Sequence, residues 1–453
     1  MKSILIKGGK LVTPLGTFKS ELLVKNGVIA AIGEGLSGDE TIDASGKLVL
    51  PGGIDAHTHM AMPFGGTVSC DDFADGTIGG AFGGITSIVD FAIQGKGQSL
   101  ADTIRNKRKD ADGKVYTDYG LHIAVTDLSD AILAEIPATI AAGVPTFKCF
   151  MTYPGMAVDD YTLFQVLKTA SENGGRVSVH AENLSMITNG VAALLKEGKA
   201  DPWYHAKSRP DYVEAEAISR AIMWAEEAKA ELYVVHLSTA KGLALVKAAQ
   251  ARGSKIIAET CPQYLTLTEE SYKEPNFGGA KYVMSPPLRT AADQVALWGA
   301  LADGSVSTVA SDHCPFTMEQ KKMGLGDFSK IPNGAPGTEV ILPVLYSEGV
   351  LKGRITLERL TALMSSNPAR IFGLPTKGEL EPGKDADIVI FDPNKDWSLD
   401  EKNLHSKAGY SPLEGLKVRG KVESTLVRGQ FVVKSGALVG TAGYGKFLVR
   451  SKV

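Results

Sequence analysis

Short, unbroken apolar runs alternate along the chain with stretches in which apolar positions recur every three or four residues. The runs are "GGIDAHTH", "GITSIVDFA", "YGLHIAVTD", "VPTFKCFMTY", "GRVSVHAEN", "ELYVVHLS", "SKIIAETCPQ" and "VSTVASDHCP". They read as strands. The intervening segments, among them "LADTIRNKRKD", "EAEAISRAIMWAEEAKA" and "RTAADQVALWGALADG", read as helices. In "DDYTLFQVLKTASENG", Leu163, Val166 and Leu167 fall at helical spacing, and Asn173–Gly174 supplies a stop. Eight such units over roughly 300 residues predict a (β/α)8 barrel. The alternative, an open doubly wound sheet, lacks support because no G-x-G-x-x-G follows the early strands.

The two ends have another texture. "ILIKGGKLVTP", "SELLVKNGVIAAIG" and "ETIDASGKLVLP" are short strands with turns, and "KNG" is a hairpin signal. The same pattern returns in "KGELEPGKDADIVIFDP" and "VRGKVESTLVRGQFVVKSG". One small β-sandwich domain built from residues 1–50 and 376–453, flanking a barrel over 51–375, is expected.

Composition narrows the function classes. Hydrophobic residues make up 44% and charged residues 22% of the 453, an ordinary globular balance. A net charge of −3 without a basic run speaks against a nucleic-acid or membrane-surface partner. The start, "MKSILIKGGKLVTP", has no long apolar core of a signal peptide, and no stretch approaches the about 18 apolar residues of a membrane helix. Cys70, Cys149, Cys261 and Cys314 form no C-x-x-C pair and read as small hydrophobes in a reducing compartment. A soluble, cytoplasmic protein is expected.

In such barrels the chemistry sits at the C-terminal ends of the strands. His57 and His59 end the first run and share a face, being two residues apart. An H-x-H triplet at a strand end also occurs without any metal. Yet Lys148 falls in run four, His180 ends run five, His236 ends run six, and Asp312 followed by His313 ends run eight. Five of the eight histidines in the chain are in this set. Nitrogen and oxygen donors converging on one barrel mouth suit zinc. An ammonium among metal ions is unfavourable, so Lys148 should be neutral there. A neutral lysine reacts with carbon dioxide to a carbamate, whose two oxygens can bridge metals roughly 3.5–4 Å apart.

With "PGGIDAHTH", "CDDF", "FKCFMTY", "VHAEN", "YHAKSRP", "VHLS", "ETCPQYL", "SPPLR", "SDHC", "NGAPG" and "NPARIFGL" in order, the chain resembles the dihydropyrimidinase and hydantoinase family of the cyclic amidohydrolases. The likeness spans essentially the whole chain. It implies two divalent metal ions, zinc by expectation. His57, His59, carboxylated Lys148 and Asp312 would hold one; the same carbamate, His180 and His236 would hold the other. It implies a hydroxide between the metals as nucleophile, with Asp312 as the group that moves its proton. Tyr153 would donate its hydroxyl to the developing oxyanion. Backbone groups at Ser285 and Asn333 would hold the amide faces of a small cyclic ureide. Met62 and Phe64, from the loop after the first strand, together with Phe150, would wall in an apolar substituent on the ring of a 5-substituted hydantoin, and dihydropyrimidines would be accepted alongside. His122, His205, His313 and His405 are left as structural. Allantoinase shares the same ligands, whereas the Tyr153 position and Asn333–Gly334 look like the hydantoinase branch. A non-catalytic scaffold of the collapsin-response type would lack part of the ligand set, and here each position is filled. The resemblance also implies a homotetramer, with "GYGKFLVR" similar to a tail that reaches a neighbouring subunit.

Overall fold

Each of the eight apolar runs holds a strand of one parallel sheet in the computed structural model, which describes residues 2–453. In chain order the strands are Gly53–Thr58, Ile85–Ile93, Asp118–Val125, Thr146–Phe150, Arg176–His180, Leu232–Val234, Ile256–Thr260 and Thr308–Val309. Neighbours in sequence are neighbours in the sheet. The seam between first and eighth strands is closed beyond the strand ends: Thr58 bridges His313, and the His59 N–H donates to His313 O at 2.8 Å. The fold is therefore a nearly closed eight-stranded barrel of the TIM type, with sheets from the termini beside it.

Register decides what faces the barrel axis. Ile123, Phe147, Val177, Leu232 and Ile256 are paired row-wise across five strands and pack outward against Leu163, Val166, Ile218 and Val246 of the surrounding helices. With a side-chain period of two, the next row, Lys148, Ser178, Tyr233 and Ile257, faces inward. Lys148 is thus an interior residue by register, only 1% exposed. The helix predicted in "DDYTLFQVLKTASENG" spans Asp160–Glu172. The Asp159 side chain caps it by accepting the Thr162 N–H, and Leu163, Val166, Leu167 and Ala170 form its buried stripe. Gly174, at φ +80°, carries the chain out of it.

The terminal strands form two further sheets. One has the order Val28–Gly33, Glu21–Lys25, Ile4–Lys7, Glu40–Asp43. The other joins both ends of the chain, with Leu48–Pro51 hydrogen-bonded between Ile388–Ser398 and Lys10–Thr13. Ile4, Ile6, Leu22 and Val24 of the first sheet pack on Leu11, Val49, Ile388, Ile390 and Leu426 of the second. A buried ionic cluster ties this unit to the barrel. Lys377 Nζ lies 2.6 Å from Asp118, 2.8 Å from Asp387 and 3.1 Å from Asp385, and Arg428 also pairs with Asp118.

The last residues run along the base of this chain's own barrel. The Tyr119 N–H donates to Lys446 O, Leu448 N–H to Tyr119 O, Arg450 N–H to Gly143 O and Val453 N–H to Gly174 O. The Arg450 side chain is buried there and donates to Leu121 O, Phe372 O and Thr146 Oγ1. Among the described residues, no helix is long and apolar enough to cross a membrane.

Candidate metal centre and active site

Six of the residues singled out in the sequence lie together at the C-terminal mouth of the barrel. His57 Nε2 is 3.2 Å and His59 Nε2 3.1 Å from the same Asp312 oxygen. Lys148 Nζ is 3.1 Å from His57 Nε2, and His236 Nε2 is 3.0 Å from His180 Nδ1. The His57 and His236 rings are 5.3 Å apart, so the two sets form one cluster. His57, His236 and Asp312 alone offer donor atoms all within 4.8 Å of one another.

The strands deliver these side chains unequally. His57 and Lys148 are inward positions within strands, and His180 ends one. His236 and Asp312 lie two and three residues past their strands, which are short, and both have left-handed backbones at φ +39° and +54°. Tyr153, at φ +70°, is a third such residue. Non-glycine residues in this region are strained, and such strain gathers where function needs a fixed aim.

Buried carboxylates orient the imidazoles. Glu259 receives His57 Nδ1 at 2.7 Å, the His236 N–H at 3.1 Å and the Tyr233 hydroxyl at 2.7 Å. Burial pushes Glu259 up to about 7, while these donors favour its charged form. With the proton of His57 directed to Glu259, the Nε2 lone pair faces the cluster. Glu182 plays the same part for His180, receiving Nε2 at 2.7 Å and Arg209 at 2.7 Å. Burial alone would raise Glu182, but Arg209 and His180 hold it down at about 2. Neither carboxylate was evident as a site residue in the sequence, although "VHAEN" and "AETCPQ" contain them. Asp90 and Asp55 are further silent members. Asp90 accepts the Thr58 hydroxyl and the Met60 N–H, and Asp55 accepts the N–H and hydroxyl of Ser311.

The donor set fits a metal. Burial, and the nearby Lys148, keep His57 well below its ordinary value, and burial does the same for His236, so both are neutral. A neutral His57 Nε2 facing an Asp312 oxygen sets two acceptors against each other, an arrangement that a cation between them relieves. Burial pulls the Lys148 ammonium down to about 8 against the attraction of Asp312 and Glu259. Burial would raise Asp312, yet the hydrogen bond from His59 and the charge of Lys148 hold it at about 2. Imidazole and carboxylate donors of this kind suit zinc and its neighbours.

A cavity opens over the cluster. Tyr153, Ser285, Asn333, Met62, Phe64 and Phe150 all line it. Phe64 sits on a hairpin, Pro63–Phe64 with Thr67–Val68, turned by Gly65 and Gly66 at φ +60° and +82°. Its ring meets Tyr153 edge-on at 5.1 Å, and Tyr153 meets His180 at 5.2 Å. Burial holds the Tyr153 hydroxyl well above its usual range, so it remains a donor. Cys314 and Gly334 also line the cavity. A side chain at Gly334 would collide with the Cys314 carbonyl, 2.3 Å from a Cβ placed there.

The remaining histidines are engaged elsewhere. His122 is buried in the barrel between Thr146 and the Ala56 carbonyl. His313 turns away from Asp312 to Asp71, at 3.0 Å. His405 stacks on Phe82 and bonds Glu339. His205 bonds the Met284 carbonyl at 2.8 Å.

A parallel barrel with imidazole, carboxylate and amine donors converging at its mouth is the architecture of the amidohydrolase class of hydrolases. Residues 48–432 match the amidohydrolase family. The chain is 46% identical to a D-hydantoinase of Geobacillus stearothermophilus, covering 99% of this chain and 96% of that one. Its structure is similar to a dihydropyrimidinase of Brevibacillus agri, with TM-score 0.98, 44% identity and 99% of each chain covered. An L-hydantoinase (dihydropyrimidinase) of Arthrobacter aurescens is more distant, at TM-score 0.90 and 34% identity, covering 99% of this chain and 100% of that one. The chain belongs to the amidohydrolase family, in its hydantoinase and dihydropyrimidinase branch.

Proposed function

We propose that this enzyme opens cyclic ureide rings by hydrolysing the ring amide, acting on 5-substituted hydantoins and on dihydropyrimidines. The observation that carries the reading is the donor cluster at the floor of a cavity walled by Tyr153, Ser285 and Asn333. In this reading two divalent metals, zinc by preference, are held by His57, His59, Lys148 and Asp312 on one side and by Lys148, His180 and His236 on the other. Carboxylation of the Lys148 amine, with loss of one proton, supplies the shared anionic ligand. When bound, the metals supply Lewis acidity toward the amide carbonyl and toward water.

The chain's own groups do the rest. A carboxylate oxygen of Asp312 takes the proton of the attacking water and delivers it to the leaving ring nitrogen. The Tyr153 hydroxyl donates to the carbonyl oxygen as negative charge builds there. Main-chain groups of Ser285 and Asn333 hold the ring's amide edge, while Met62, Phe64 and Phe150 face the ring substituent. The D-hydantoinase relatives support D-enantiomers as the preferred hydantoins. The barrel, residues 51–375, is the catalytic unit in this reading, with 1–50 and 376–453 as its companion domain. A cytoplasmic homotetramer completes it.

A substrate panel on metal-replete enzyme tests the reading. Hydantoin, both phenylhydantoin enantiomers and dihydrouracil should be opened faster than allantoin. Preference for allantoin, or no turnover of any of the other rings, overturns it.

A further inference from the structure

Lys321 ends the short helix Met318–Lys321, in the segment that follows the eighth barrel strand. Its side chain is 0% exposed. All three hydrogen-bond partners of its Nζ are backbone carbonyls: Val283 at 2.8 Å, Pro332 at 2.7 Å and Gly334 at 2.7 Å. An ammonium has three protons, and each is used. A cation buried on neutral carbonyls is costly to keep, so its place calls for a reason beyond packing.

The three carbonyls frame the two backbone segments assigned above to the substrate. Val283 lies two residues before Ser285, and Pro332 and Gly334 flank Asn333. In a trans peptide the C=O and N–H point in opposite directions. The Pro332 carbonyl belongs to the peptide that carries the Asn333 N–H. With that carbonyl held from behind by Lys321, the Asn333 N–H is turned away from Lys321, toward the cavity that Asn333 lines. The opposite wall repeats the device. His205 Nε2 donates to Met284 O, whose peptide carries the Ser285 N–H. The Gly334 N–H donates to Val283 O at 2.9 Å and stitches the two walls together. Among the described residues, neither the Ser285 nor the Asn333 N–H donates to a protein acceptor.

We propose that Lys321 is a positioning residue for substrate: its ammonium locks the Asn333 peptides against the Val283–Ser285 segment, so that a preset edge of backbone donors and acceptors meets the amide edge of a cyclic ureide. This rests on the reading that Ser285 and Asn333 hold the ring.

Lys321→Met keeps the stem and removes the three donors. On metal-replete enzyme, KM for hydantoin should rise about tenfold while kcat changes much less, the mark of lost uniform binding. Metal content should stay at the wild-type level. So should inhibition by acetohydroxamate, which addresses metals and has no ring amide edge. An unchanged KM, or a hydroxamate inhibition constant that shifts in step with KM, overturns the proposal. If Lys321→Met does not fold, Lys321→Gln, which retains amide donors on a shorter stem, carries the same comparison with the same expected split. Wild type that turns over no cyclic ureide would bring down the functional reading and this proposal with it. Wild type active on hydantoin beside a variant with unchanged KM sinks the proposal alone.

Discussion

Glu259 shows how much of the site lies outside its donor cluster. One carboxylate fixes the ring of His57, the backbone of His236 and the hydroxyl of Tyr233. Glu259→Gln keeps the shape but turns an acceptor for the His57 proton into an amide. Outer partners of this kind typically account for about 10–100-fold in metal affinity. Metal content after dialysis against a graded chelator series should fall accordingly, and that of Lys148→Ala further, because the proposed function makes Lys148 a ligand shared by both metals. Equal retention by Glu259→Gln and wild type would show that Glu259 only fills space. The donors themselves were legible in the sequence because each stands within or at the end of an apolar run. Glu259 was not, since its partner is 202 residues away and a strand glutamate carries no local mark of pairing.

At the scale of elements, the strand–helix alternation and its caps could be read directly, as the Asp160–Glu172 helix illustrates. Strand ends could not. The eighth strand is two residues long, and Asp312 reaches the cluster through a left-handed turn in "ASDHC" that no glycine announces. Tertiary contacts, such as Asp55 on Ser311, impose that turn from a strand 256 residues away in sequence. The hairpin bearing Phe64 is the element that should govern substrate choice. Its two glycines bring Phe64 against Tyr153, over the cluster. Phe64→Ala should lower turnover of phenylhydantoin relative to hydantoin by about tenfold, the usual scale for losing apolar contact in a pocket. Steady-state kcat/KM for the two rings gives the ratio, and an unchanged ratio would remove Phe64 from the substrate wall.

For the whole molecule the decisive contact is the buried junction around Lys377. Its side chain is among three aspartates, two of them almost fully buried. Lys377→Met strands those charges, and breaking such a cluster costs about 3–5 kcal/mol. Denaturant unfolding should show the loss, and a change within experimental error would relegate the cluster to packing. The junction is also acid-sensitive. Burial would raise Asp118, but Lys377 and Arg428 override it and hold the group below its ordinary 3.8. A depressed carboxylate stabilises the fold fully above its unfolded value, and this is lost as pH falls through the folded one. Asp387 shifts the other way, raised by burial despite Lys377 and with opposite sign. Asp118, bonded by two cations, sets the direction. Thermal midpoints should therefore drop below about pH 4 in wild type, and less steeply in Lys377→Met, which has already lost one of the cations.

The path of the last eight residues has a practical side. They cross the starts of the barrel strands, at Tyr119, Gly143 and Gly174, whereas the donor cluster lies at the opposite ends. A linker attached at Val453 therefore leaves from the face remote from the cavity. A single copy anchored to a resin through that residue would present its open mouth outward to the flowing solution.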